Sequence, residues 1–136
     1  MKLKIFMILI LFSSVFTLNL LTGCGEMVSS SNNLVFPDSS VSYIINVEPF
    51  MRVKCAYSGC HCEPPNNTST PMTTWFELMG SENLGLVVAY KPDSSILIQI
   101  LEEKLPHNYN AFPHGYITQN QIKGMRKWIE EGAKNN

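Results

Sequence analysis

The stretch Thr118-Gln119-Asn120-Gln121-Ile122-Lys123-Gly124-Met125-Arg126-Lys127-Trp128-Ile129-Glu130-Glu131-Gly132 carries the clearest fold signal in the chain. Thr118 followed three residues later by Gln121 fits a capping box, in which each side chain satisfies the backbone N–H of the other and opens a helix. Ile122, Met125, Trp128 and Ile129 then recur at helical spacing on one face. Gly132 suits the stop.

Working outward, the same signals recur. Ser94 or Asp93 can cap a helix running to about Lys104, with Leu97, Ile100, Leu101 and Leu105 as its buried stripe. Pro71 opens a helix through Met79, ended by Gly80, with Met72, Trp75, Phe76 and Met79 at i, i+3, i+4, i+7. Pro49 suits a helix first turn, because its missing N–H would be unpaired there anyway. A helix from Pro49 to Cys55 puts Phe50, Val53 and the stem of Lys54 inward. Leu84 to Tyr90 reads as extended and apolar, interrupted by Gly85. The prolines of residues 63–71 and 105–116 mark loops. No long stretch alternates, so the expected fold is all-α, with three or four short helices and long loops.

Composition narrows the function classes. The chain has 136 residues, Lys+Arg 10 against Asp+Glu 11, and 45% apolar residues. That is one domain's worth of core. No basic surplus exists to hold nucleic acid. Glu102-Glu103 and Glu130-Glu131 diverge around their helices, read as solvated, and form no catalytic set.

The start of the chain reads as a targeting segment. Lys2 and Lys4 precede a short apolar run from Ile5 to Leu21, an export signal rather than a membrane span. Leu21-Thr22-Gly23-Cys24 resembles the lipobox of bacterial lipoproteins. The resemblance implies a signal peptide over residues 1–23, cleavage before Cys24 and lipid on Cys24 as a membrane anchor. Gly25, where an Asp would resemble an inner-membrane retention signal, favours the outer membrane, facing the periplasm. Residues 24–40, rich in Ser and Asn, read as a flexible tether. The folded domain is expected over residues 41–136.

The chemistry lies in Cys55-Ala56-Tyr57-Ser58-Gly59-Cys60-His61-Cys62. A Cys directly followed by His, with another Cys a few residues earlier, is the arrangement that attaches c-type haem. Two thiols bonded to the vinyl groups pin the porphyrin edge, and the adjacent imidazole reaches the iron. Four residues separate the cysteines here instead of two, and Gly59 can supply the unusual dihedral of a longer loop. Two other readings use the same residues. Exported chains form disulfides, so Cys55 could pair with Cys60 or Cys62. A zinc site from Cys55, Cys60, His61 and Cys62 would need three consecutive residues to converge on one ion.

From Val47 onward the chain resembles the small cytochrome c domains of exported bacterial proteins, including the planctomycete-type group. Val47-Glu48-Pro49-Phe50 resembles the helix leading into the first haem Cys. Lys91-Pro92-Asp93-Ser94-Ser95-Ile96-Leu97 resembles that group's step into a middle helix, and Gln121 to Ala133 its closing helix. The resemblance covers about 85 residues in order. It implies one haem c, thioether attachment at Cys55 and Cys60, and His61 as proximal iron ligand. It implies a carrier of single electrons between unidentified redox partners, not an enzyme.

Two departures stand out. The group commonly places Met-Pro before the last helix, and the Met is the distal ligand; here the pair is Phe112-Pro113. His107 and His114 are the other histidines, both in this loop. Either is a candidate distal ligand, with His114 nearer the expected position. Without either, the iron is five-coordinate and a gas-binding or sensing module becomes the alternative. Met72, Met79, Met125, Trp75 and Trp128 read first as core residues. The second departure is Cys62, which two thioethers leave over. If it pairs with Cys55 instead, a haemless lipoprotein stapled by a disulfide is the rival.

Overall fold

The computed structural model describes residues 34–57, 59–62, 70–109 and 114–136. The expected signal peptide, Cys24, most of the tether, residues 63–69 and the Phe112-Pro113 pair lie outside the described residues. Among the described residues the chain is helical and has no strand. No helix there is long and apolar enough to cross a membrane.

The fold begins with a π-helical turn, Tyr43–Val47, that leads directly into α1, Glu48–Lys54. Pro49 has no N–H to give, and just ahead of it the ladder runs five residues back, from Glu48 N–H to the Tyr43 carbonyl. Ser42 caps the turn, its Oγ accepting from Ile45 N. Its hydroxyl also donates to the Asn136 carbonyl at 2.7 Å, which ties this turn to the end of the chain. Phe50, Met51 and Lys54 are buried on α1, and Val53 is only half-buried.

The second helix, α2, covers Trp75–Met79, not Pro71 to Met79. Thr74 and Glu77 form a capping box, and Glu77 Oε2 also accepts from Thr73 N at 2.6 Å. These bonds satisfy the first-turn donors and fix the start at Thr74. The inward face changes with the start. Leu78 is fully buried, while Phe76, expected inside, is 71% exposed.

Leu84 to Tyr90 is a series of turns rather than an extended run. It is held from outside, by Ile96 N to Gly85 O, Leu97 N to Leu86 O and Tyr90 N to Ile129 O. A 3₁₀ turn, Pro92–Ser94, then precedes α3, Ile96–Leu101. The expected cap at Asp93 or Ser94 shifts to Ser95, whose hydroxyl accepts from Val88 N and donates to Lys91 O. The helix stops three residues before Lys104, because Glu103 turns left-handed (φ 58°) and the Gln99 carbonyl accepts from Lys104 N.

The last helix, α4, is Gln119–Glu130, with the Thr118–Gln121 capping box in place. Met125, Trp128 and Ile129 are fully buried against α3 and the π-helical turn. The Tyr43 and Trp128 rings pack at 5.9 Å, and the indole N–H of Trp128 donates to the Lys134 carbonyl.

The packed body starts earlier than residue 41. Phe36 is buried, edge-on to Phe50 at 5.8 Å. Asn120 holds its backbone from both sides, accepting from Phe36 N and donating to Phe36 O. Glu131, expected to be solvated, accepts from the backbone N–H of both Ser40 and Val41. Residues 34–40 therefore belong to the fold rather than to a tether.

Candidate functional site

Cys55 follows the last residue of α1, and its N–H still closes a helical bond to Met51 O at 2.9 Å. The chain then loops back, so that His61 N donates to the Cys55 carbonyl at 3.0 Å and Cys60 N to the Tyr57 carbonyl. Gly59, at φ 85°, takes the left-handed dihedral this loop requires. The four-residue spacer is thus a closed turn that returns His61 to the end of α1.

The His61 ring is oriented by one bond, Nδ1 to the Thr70 carbonyl at 2.8 Å. A carbonyl only accepts, so Nδ1 carries the proton and Nε2 is the basic nitrogen. Metal-ligating imidazoles are commonly held in this way, by a backbone carbonyl on the nitrogen that does not ligate.

Cys55, Cys60 and His61 open onto a cavity of about 790 Å³ between α3, α4 and the segments 105–109 and 116–117. Its size lies in the range of cofactor sites, roughly 300–1,000 Å³. Met72, Leu86, Leu97, Ile100, Leu101 and Ile122 give it apolar walls. Ile100 and Ile122 sit on the stripes expected to face the core, and both are only half-buried because they face this cavity. Lys123 and Arg126 stand among its lining residues. Arg126 is already paired with Glu102 at 2.9 Å and with Asp93.

Cys55 and Cys60 are free thiols, so neither pairs with the other or with Cys62. Cys62 is fully buried and disulfide-bonded. Burial, with Cys60 close by, pushes the Cys55 thiol up to about 12. The Tyr57 hydroxyl is hydrogen-bonded to the Cys60 sulfur, and burial together with that bond raises it well above the usual phenol range. Among the described residues no three His, Cys, Asp or Glu side chains gather where they could hold a metal ion. The proposed zinc set of Cys55, Cys60, His61 and Cys62 does not converge.

The two remaining histidines are separated. His107 lines the cavity, and its ring lies 5.9 Å from that of His61 at an interplanar angle of 26°. Burial and then the neighbouring His61 hold its pKa below the ordinary imidazole value. His114, nearer the expected distal position in the sequence, is stacked on Tyr57 at 3.6 Å and is not among the residues lining the cavity. Burial, with Lys54 nearby, lowers its pKa as well. Of the methionines and tryptophans read as core, Met125 and Trp128 are fully buried, and Met72 is buried at the cavity wall.

Sequence reasoning missed the role of Lys54. It is 2% exposed, and its ammonium donates to the carbonyls of His114, Gly115 and Tyr116. Tyr109 Oη donates to the same Gly115 carbonyl at 2.6 Å. A cation on the inward face of α1, immediately before the first Cys, was the available signal.

The donor set fits a covalently held porphyrin. Two free thiols and two imidazoles line one cavity, with apolar and charged side chains around them. No protein-family model, curated protein or solved structure matches the chain.

Proposed function

We propose that the chain is a lipid-anchored c-type cytochrome domain that carries single electrons at the bacterial cell envelope. The observation that carries this reading is that the free Cys55 and Cys60 thiols and His61 line one cavity of about 790 Å³ together. Haem bound there supplies one-electron exchange at its iron.

The residues divide the work. Cys55 and Cys60 are the attachment points. His61 is the proximal ligand through Nε2, its ring held by the Thr70 carbonyl. Met72, Leu97 and Leu101 line the cavity and would shield a bound haem from water, burial being one of the protein's levers on the potential. The resemblance to the small exported cytochrome c domains supports the same assignment. Cys24 is the proposed lipid site, which requires its sulfur not to be the partner of the Cys62 disulfide, and the outer membrane is the favoured location. That Cys55 and Cys60 are free argues against a staple through them.

The test is a haem stain on a denaturing gel of protein made in cells that mature c-type cytochromes. Wild type is expected to stain, and Cys60→Ala to lose the two-thioether product. A wild-type chain that never stains overturns the proposal.

A further inference from the structure

We infer that residues 34–41 form a strap that positions one wall of the cavity, the first two turns of α4, and that displacing the strap releases that wall. The inference concerns the cavity itself and holds whatever occupies it.

Two faces of α4 carry different duties. Gln119, Ile122, Lys123 and Arg126 line the cavity, and their spacing of i, i+3, i+4, i+7 places them on one face. Asn120, Gln121 and Gly124 meet the strap. At about 100° per residue they stand on the opposite side of the helix. The first two turns therefore lie between the strap and the cavity. The core holds the helix further along, through the fully buried Met125, Trp128 and Ile129. Over residues 119–124 the apolar side chain is Ile122, and it is half-buried at the cavity.

The strap is fastened along the whole of α4. Asn120 Oδ1 accepts from Phe36 N at 2.8 Å, and its Nδ2 donates to Phe36 O at 3.0 Å. Gln121 is 1% exposed and bonds in two directions. Its Oε1 accepts from Thr118 N within the capping box, and its Nε2 donates to the Leu34 carbonyl at 3.2 Å. The Phe36 ring is wedged between Gly124, where a Cβ would run into it, and the Phe50 ring of α1. Past the end of the helix, Glu131 accepts from the N–H groups of Ser40 and Val41.

Segments with few buried apolar contacts open locally at low cost. The first two turns of α4 border a cavity on one side, so the strap supplies their packing on the other. Loss of its bonds frees this wall while the core around Trp128 stays closed.

The experiment uses the full-length protein with Asn120→Ala, which removes both bonds to Phe36 at an exposed position outside the capping box. Alanine is the better helix former, so a helix that did not need the strap would exchange its amides more slowly. The strap predicts the reverse. Hydrogen exchange over residues 121–124 is expected to speed up roughly tenfold, with α1 and α3 at wild-type rates. Phe36→Leu is expected to raise exchange over the same residues. A cysteine reporter on the cavity face, Ile122→Cys, tests the wall directly. Adding Asn120→Ala to it is expected to speed maleimide labelling at position 122 several-fold, read peptide by peptide by mass spectrometry. Slower or unchanged exchange in α4, a rise shared equally by α1 and α3, or faster exchange with unchanged labelling at position 122 overturns the inference.

Discussion

The buried ammonium of Lys54 donates to the Gly115 carbonyl at 3.2 Å, with the carbonyls of His114 and Tyr116 completing its shell. It joins the end of α1, next to Cys55, to the loop that enters α4. A buried cation without a carboxylate is tolerated only where such acceptors surround it, and burial lowers its pKa below the usual lysine value. Lys54→Met keeps the stem and leaves three carbonyls without their donor. It is expected to cost about 1–3 kcal/mol, measured by urea unfolding of the purified chain. A variant as stable as wild type contradicts the clasp.

Tyr43 supplies the pH dependence. Its hydroxyl is buried and has no hydrogen-bond partner among the described residues, and burial, with Glu48 nearby, pushes it up to about 12. The unfolded chain gives up this proton near 10, whereas the fold holds it to about 12. In that window the folded state binds more protons, so its stability falls as pH rises. Tyr43→Phe removes an unsatisfied group. It is expected to be neutral or mildly stabilising at pH 7 and to flatten the alkaline loss between pH 10 and 12, followed by thermal melts across that range. An unchanged alkaline slope contradicts this account.

Phe36 and Gly124 test where the domain begins. A Cβ added at Gly124 would lie 2.2 Å from the Phe36 side chain, so the closeness of the two depends on a missing methyl. Gly124→Ala is expected to destabilise by about 1–3 kcal/mol through overpacking, partly offset by roughly 1 kcal/mol of helix propensity. In a Phe36→Ala background the clash disappears, and Gly124→Ala should turn neutral or stabilising. A double-mutant cycle with no coupling would mean that residues 34–40 do not pack on α4.

Much of this was legible in the sequence. The box at Thr118 and Gln121 told of α4 because it is local, a four-residue exchange of bonds that needs no tertiary partner. The start of α2 was legible by the same rule in Thr74 and Glu77, but Pro71 and the apolar spacing from Met72 pointed elsewhere, which put Phe76 on the wrong face. The earlier start of the domain was not readable. Phe36 stands among Ser and Asn residues, and only the bare surface at Gly124, more than eighty residues later, gives it a place. At the site, motif spacing singled out Cys55, Cys60 and His61, which lie within seven residues and line one cavity. It could not say that His107 lines the cavity and His114 does not, since that depends on how Lys54 and Tyr109 hold the loop.

The anchor has its own test. In the proposed anchor, a thioether lipid would occupy the Cys24 sulfur. Mass spectrometry of the processed N-terminal peptide is expected to find a diacylglyceryl group on it. A Cys24–Cys62 disulfide there would contradict the anchor without touching the haem site.

The most direct measurement is the mass of the peptide spanning Cys55 to His61 from exported protein made in cells competent for cytochrome c maturation. The account predicts one haem added through both Cys55 and Cys60. Recovery of that peptide with both thiols unmodified, or joined only to each other, would contradict it.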